Sequence, residues 1–263
     1  MRKLVVVKGG GDIATGIVHR LFRSGFDVVI TELTKPTVIR YTVAFAEAIY
    51  AGNALVEGME AKLAKKEDIR KLLSLGKIPV LIDPQATVVR LLKPWAVVDA
   101  ILAKKNTGTF LTDAGIVIGT GPGFVAGQDV HAVVETMRGH DLGRVITQGT
   151  ALPNTGVPGN IGGYTQERVI KAATDGIFQA KRKIGDIVSP NDIVAYVDKI
   201  PVKAKISGIL RGILHDGLTV KQGMKVGDVD PRCRLEHCFS ISDKARAIGG
   251  GVLEALLWLG GKI

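Results

Sequence analysis

Leu4-Val5-Val6-Val7-Lys8-Gly9-Gly10-Gly11-Asp12-Ile13-Ala14-Thr15-Gly16 opens the chain with an apolar run, a glycine turn and the start of a periodic segment. The run reads as a buried parallel strand, because both faces of such a strand are covered and its residues need not alternate. Ile13, Ile17, Val18 and Leu21 then recur at helical spacing. Gly9, Gly11 and Ala14 fit the G-x-G-x-x-G/A pattern. In that pattern bare backbone admits a phosphate, and the helix N-terminus, with unpaired N–H groups and a positive dipole end, holds its charge. Gly9, Gly10, Gly11, Asp12 and Ile13 are therefore the candidate anion-binding residues. Asp27-Val28-Val29-Ile30-Thr31 supplies a second strand, and Glu32 ends it 21 residues after Gly11, where an acid meets a ribose hydroxyl in a dinucleotide fold. The alternative is a tight strand-to-helix turn that holds no ligand.

The alternation continues outward. Thr34 caps a predicted helix from about Pro36 to Tyr50, and Glu67 to Leu75 forms a charged amphipathic helix closed by Gly76. Short strands are predicted at 54–56, 78–82 and 96–98. Strands alternating with helices predict a Rossmann-like, mostly parallel α/β sheet over residues 1–148, with ligands beyond the carboxyl ends of its strands. Asp83 and Asp99 fall at such ends, where an Asp also caps turns. Residues 114–124 run from a strand into a loop whose Gly121 and Gly123 form a second candidate anion nest. Residues 130–135 and 144–147 pair as antiparallel strands around a polar turn. There Arg138 and His140, with Arg144, either converge on a carboxylate or phosphate or face solvent.

Residues 149–163 carry five glycines and two prolines, and 149–175 reads as an ordered loop connecting two domains. Over 176–232 a G-x-x-V-(x)5-V pattern, Gly185 to Val194, returns 32 residues later as Gly217 to Val226. Two such units facing each other form a small β-sandwich. The arrangement resembles the barrel-sandwich fold of biotinyl and lipoyl carrier domains, which makes Lys199, near a hairpin tip, the position where a carrier lysine would fall. Residues 233–263 form a C-terminal segment with a helix capped by Ser242. Three consecutive glycines, Gly249 to Gly251, interrupt that helix and imply a close approach by another element or a ligand.

The 263 residues are 46% hydrophobic and 23% charged, which suits a folded soluble protein. No apolar run approaches the roughly 20 residues of a membrane span, and the start is too short for a secretion signal, so a cytoplasmic protein with no membrane partner is expected. Two cysteines, Cys233 and Cys238, are too few for a disulfide framework. With His237 they offer no fourth ligand at a recognisable spacing, so no metal site is expected. A net charge of +10 invites nucleic acid, yet the basic clusters lack interleaved aromatics at 5% aromatic content, which disfavours that partner. An apolar C-terminal helix ending near Trp258 suits a homodimer contact and core packing equally.

Taken together, Gly9 to Gly16, Lys105-Asn106-Thr107-Gly108, Gly121-Pro122-Gly123-Phe124, Glu135 to His140, Asn154 to Gly159, Asp230-Pro231-Arg232 and Ser242 to Gly251 resemble the YqeB family over nearly the whole length. Those proteins are associated with selenium-dependent molybdenum hydroxylases. The glycine-turn domain is also similar in kind to that of the XdhC molybdenum cofactor chaperones. The resemblance implies an accessory or maturation protein whose partners are the hydroxylase or its other maturation proteins. Its ligand would be a phosphate-bearing cofactor, the molybdenum cofactor or a (di)nucleotide form of it, held at Gly9 to Ile13 with Glu32 on a ribose. Cys238 falls at a cysteine of the family pattern and is the one catalytic candidate, as a carrier of sulfur or selenium. The competing reading for it is a small buried apolar residue. Two other functions stand beside this one: an NAD(P)-dependent oxidoreductase using the same turn, and a non-catalytic adaptor that docks the hydroxylase.

Overall fold

The computed structural model describes residues 2–261, and their packing divides the chain into two compact units. The first takes the chain up to Pro36, then Ala44–Asn154, and everything from Ile241 on; the second takes Thr37–Val43 and Thr155–Ser240. The 233–263 segment is thus divided at Ile241, and a short piece of the N-terminal half belongs with the β-rich unit. That piece is held by the sheet hydrogen bonding of the second unit: Ile213 N donates to Ile39 O at 2.8 Å.

The first unit is built on β1 (Leu4–Lys8), α1 (Asp12–Arg23), β2 (Asp27–Glu32), α2 (Ala48–Ala51), β3 (Asn53–Val56), β4 (Met59–Leu63), α3 (Ile69–Ser74), β5 (Ile78–Ile82), α4 (Val88–Leu92), β6 (Ala96–Asp99), β7 (Ile116–Thr120), β8 (Ala132–Val134), β9 (Val145–Ile146) and α5 (Asp243–Leu259). Its nine strands form one sheet in the order β3-β4-β5-β2-β1-β6-β7-β8-β9. The seven strands from β4 to β8 in that order run parallel, while β3 and β9 pair antiparallel at the two edges. Val5, Val6, Val7, Val28, Val29, Ile30, Val97, Val98, Val117 and Ile118 are fully buried, as continuous apolar runs in a covered parallel sheet must be.

This architecture corrects the expectation of a Rossmann-like sheet joined to a biotinyl- or lipoyl-like barrel-sandwich. The sheet is mixed, and a β3–β4 hairpin is inserted before β5. The predicted helix over 36–50 is absent: the stretch forms 3-10 turns at Tyr41–Val43 and Phe45–Glu47 before the short α2. No α-helix joins β6 to β7 or β7 to β8. Over 36–50 helical propensity lost to long-range bonding, since Phe45 N donates to Thr15 Oγ1 of α1 and Ala46 N to Gly10 O of the glycine turn.

The second unit contains β10 (Val169–Lys171), β11 (Gly176–Ala180), β12 (Ile187–Val188), β13 (Ile193–Val197), β14 (Ile200–Lys203), β15 (Gly208–Ile213), β16 (Thr219–Val220) and β17 (Lys225–Asp230). They form two four-stranded antiparallel sheets, β10-β17-β15-β12 and β14-β13-β11-β16. Both line one core that includes Phe178, Val194, Leu210, Ile213, Val226 and Val229. The strands of each sequence repeat do not pair with one another, as β12 bonds β15 while β13 bonds β11 and β14. Each copy therefore gives one strand to each sheet. Together with β10 and the 37–43 piece, this pairing departs from the carrier-domain expectation.

Three glycines of α5 and its partner helix explain the run at 249–251 within the first unit. A Cβ on Gly16 of α1 would stand 2.6 Å from Ala245 Cβ, and one on Gly249 would stand 2.7 Å from Gly16 O. A Cβ on Gly251 would overlap Gly143 O, whereas one on Gly250 would meet nothing within 4 Å. Ser242 caps α5, accepting from Ala245 N at 3.2 Å. Trp258, near its end, is half exposed. Among the described residues no helix is long and apolar enough to cross a membrane.

Candidate functional site

The strand order reverses at β1, which has β2 on one side and β6 on the other. In open α/β sheets the crevice beyond the carboxyl ends of the strands at such a reversal is where ligands bind. The glycine turn lies there. Gly9 has φ +92° and donates its N–H to Thr31 O at 2.8 Å. A Cβ at Gly9 would stand 3.1 Å from Ala100 O, and one at Gly10 would stand 2.9 Å from Ala46 N. Gly10 O accepts from Ala46 N at 2.8 Å, and Thr15 Oγ1 accepts from Phe45 N at 2.8 Å. The closest neighbour of the second glycine is thus the chain's own backbone.

Glu32 closes the other side. Its two oxygens accept from Gly10 N and from Leu33 N, each at 2.7 Å, so one carboxylate bridges the glycine turn and the end of β2. Burial pushes its pKa above the ordinary value, opposed by those N–H donors. The Tyr50 phenol is pushed up as well, by burial and then by Glu47 and Glu32. Gly11 is the N-cap of α1 and offers no side-chain cap bond, while Gly11 and Asp12 remain partly accessible. Ile13 is buried. Leu33 and Ile101, at 48% and 40% exposure, follow the ends of β2 and β6 on either side of the turn and present apolar surface to solvent.

Beneath the turn lies a buried polar cluster of which sequence reading had singled out only Asp99. Lys8, Asp99, Thr109 and Thr120 are all buried. Lys8 Nζ donates to Thr109 Oγ1 and to Gly108 O and stands 3.7 Å from Asp99 Oδ2. Thr109 Oγ1 donates in turn to Asp99 Oδ2 at 2.6 Å, and Thr120 Oγ1 donates to Asp99 O at 2.9 Å. A usable signal was present in the sequence: a lysine as the last residue of an otherwise apolar strand, and an acid at the end of β6. Asp83, the other strand-end acid, accepts from Thr87 Oγ1 and Val88 N and caps α4.

The remaining sequence candidates do not converge on this edge as open groups. Gly121 (φ +75°) faces Thr136 Oγ1, and Gly123 (φ +111°) faces the Lys105 backbone, each 2.6 Å from where a Cβ would sit. Arg138 donates both terminal nitrogens to Asp243 at 2.7 Å and so holds the start of α5. His140 is exposed. Arg144 instead lines an open polar pocket of about 400 Å³ with Glu135, Thr147, Gln148 and Thr150. Glu135 is buried at its floor and accepts from Thr136 N, Met137 N and Leu152 N, each at 2.7 Å.

Cys238 lies in the second unit, fully buried in its core, with Sγ 3.9 Å from Leu210 O. Burial pushes the thiol pKa up, against the pull of Arg211 and Arg40. A neutral thiol is a poor nucleophile and metal ligand. His237 O accepts from Arg40 Nη2 at 3.1 Å and Arg211 Nε at 3.2 Å, while Arg232 pairs with Asp230 at 2.7 Å. Cys233 is exposed. Lys199 is exposed in the two-residue turn between β13 and β14.

Fold and site together define an open mixed α/β sheet with a glycine turn at its switch point, carried in one chain with an antiparallel β unit. The chain belongs to the YqeB family: it is 52% identical over 258 residues, 98% of its length, to the Escherichia coli (strain K12) protein called "Uncharacterized protein YqeB". It spans about half, 48%, of that relative. No family model matches the sequence. Among solved structures it is similar to an aspartoacylase family protein from Mesorhizobium loti, at 11% identity and TM-score 0.27, over 87% of this chain and 84% of that one. It is similar also to the ectoine utilization protein EutE (DoeB) from Ruegeria pomeroyi, at 14% identity and TM-score 0.27, over 87% and 85%. Superpositions this loose carry no inference about fold, substrate or reaction.

Proposed function

We propose that this chain is a cytoplasmic accessory protein that binds a phosphate-bearing cofactor at the carboxyl edge of its sheet and serves the maturation of a selenium-dependent molybdenum hydroxylase. The maturation role rests on the family resemblance, and the ligand class rests on the site. The observation that carries the ligand class is the uncapped start of α1 at Gly11, set at the β1/β6 reversal between Glu32, Leu33 and Ile101. Helix N–H groups and the dipole favour an anion there. Leu33 and Ile101 offer apolar surface for a flat ring, and Glu32 retains lone pairs for a ribose hydroxyl.

The fit is partial and limits the footprint. Ala46 fills the space over Gly10, so a phosphate meets the N–H groups from Gly11 to Ile13 rather than the second glycine. The same contact favours a second reading, in which the turn is a packing device and the protein a non-catalytic adaptor. Titration of the full chain with NAD(H), NADP(H), CTP and molybdenum cofactor in its mononucleotide and dinucleotide forms separates the readings. The proposal expects saturable binding of a phosphate-bearing cofactor without turnover. Hydride transfer from a bound nicotinamide would refute it, and failure of every ligand to bind would leave the adaptor.

A further inference from the structure

We propose that a cavity at the amino edge of the large sheet is a separate ligand site of the first unit, which takes a nucleoside monophosphate with its phosphate on Arg90 and Lys93 and its base on Phe110. It lies at the opposite edge from the glycine turn and does not depend on that turn holding a ligand. The cavity has a volume of about 630 Å³, within the roughly 300–1,000 Å³ of small-molecule sites. One wall is the end of α4 with the turn that follows it, and the other is the segment from Phe110 to Gly115. These two stretches lead into β6 and β7, which are hydrogen-bonded parallel neighbours. The sheet therefore fixes the distance between the walls.

Each wall brings a different kind of group. Arg90 and Lys93, three positions apart at the end of α4, both line the cavity. Both are exposed, and among the described residues neither side chain has a hydrogen bond or an ion pair. The two cations thus lack a counter-charge in the chain. On the facing wall Phe110 is 61% exposed, an aromatic ring left in solvent at the rim of a cavity. Asp113 holds the turn that carries it: Asp113 Oδ2 accepts from Phe110 N at 3.1 Å, and Asp113 N donates to Phe110 O at 3.0 Å. Its Oδ1 is left to accept from a ligand. A flat base stacks on such a ring, while the guanidinium fork and the ammonium suit phosphate oxygens. The carboxylate narrows the choice, because it repels a compact anion but accepts from a ribose hydroxyl or a base N–H. A nucleoside monophosphate carries the ring, the charge and the donors together; inorganic phosphate lacks the ring, and a nucleoside lacks the charge.

The test uses the full chain with AMP, CMP, GMP and UMP as probes, by calorimetry at low and moderate salt. At least one of them is expected to bind saturably, and more weakly as salt rises. Arg90→Ala is expected to weaken that binding about tenfold and to remove part of its salt dependence. Phe110→Ala is expected to weaken it about tenfold as well, with the salt dependence of the wild type. Lys171→Ala, which removes an exposed lysine of the second unit, should change neither quantity. If none of the four nucleotides binds, the proposal falls. Binding that survives both Arg90→Ala and Phe110→Ala places the nucleotide elsewhere; it overturns this site and leaves the glycine-turn reading standing. A loss in Arg90→Ala without one in Phe110→Ala overturns the nucleotide assignment and leaves an anion contact only. Both substitutions change exposed side chains, so an unaltered Tm separates loss of binding from loss of fold.

Discussion

Alanine substitution along Gly249, Gly250 and Gly251 should give three different outcomes from one chemical change. Gly250 has open space around its Cβ position, so alanine there collects the helix-propensity difference, about 0.8–1 kcal/mol, without a clash. Part of that gain comes from a less flexible unfolded chain. The expected stabilisation is about 0.5–1 kcal/mol, or roughly 1–2 °C in Tm for a chain of this size. Gly251→Ala drives a methyl into Gly143 O and to 2.9 Å from Val134 Cγ1. Overpacking costs about 1–3 kcal/mol and more when backbone must move, so the net loss after the helix gain is about 2 kcal/mol. Gly249→Ala meets Gly16 O at 2.7 Å and Arg20 Cβ at 3.3 Å and should lose about 1 kcal/mol. Because Gly16→Ala strains the same α1–α5 seam, the pair should be sub-additive by at least about 0.5 kcal/mol. Urea unfolding followed by tryptophan fluorescence is the assay, since Trp95 and Trp258 both belong to the first unit. A stable Gly251→Ala, or a Gly250→Ala that loses 1 kcal/mol or more, would refute the packing account.

Two further outcomes follow from buried groups. In the native protein a thiol reagent should label Cys233, which is exposed, and spare Cys238, which is buried, until the chain unfolds; rapid labelling of both in the folded state contradicts the core assignment. Cys238→Ser, which places a hydroxyl in the same core, should cost about 1–3 kcal/mol. Glu57 is held below its ordinary pKa: burial alone would raise it, but Ile241 N at 2.8 Å and the Arg246 guanidinium at 2.7 and 2.8 Å outweigh that. A depressed carboxylate contributes stability above its unfolded pKa, near 4.3, and loses it as the pH falls through the folded value. Glu57→Gln should therefore flatten the loss of stability below about pH 4.5 by roughly 1 kcal/mol, given its partial exposure. Parallel acid profiles for the two proteins would show that the clamp contributes nothing.

What could be read from the sequence was local and apolar. β1, β2, β5 and β6 announce themselves as runs of buried aliphatic residues, and Ser242 announces α5. The segment 36–50 misleads because it serves both units. Thr37–Val43 belongs to the second, and Ala44, Phe45, Ala46 and Ala48 are buried together in the first. Apolar content at that density suits a helix, yet the bonds that decide the conformation reach Gly10 and Ile213, far along the chain. The site divides in the same way. Glu32 was legible from its spacing after the glycines, but its bond to Gly10 N was not. Lys8 and Thr109 are separated by 101 positions, and no periodicity links them. Arg138 carried the right charge for an anion, and its carboxylate turned out to be Asp243 of the same chain.

The glycine turn shows why a motif of this kind is incomplete evidence for a ligand. A glycine in it records that something approaches the backbone closely, without recording what. At Gly9 and Gly10 the approaching groups are Ala100 and Ala46, so those two glycines are required whether or not a cofactor binds. At Gly11 the demand differs: the residue starts α1 with extended backbone and no capping side chain, at the positive end of the helix dipole. Any phosphate footprint therefore begins at Gly11 and must extend away from Ala46. Ala46 closes the side of Gly10, and the 100–105 loop runs from Gly9 towards β7.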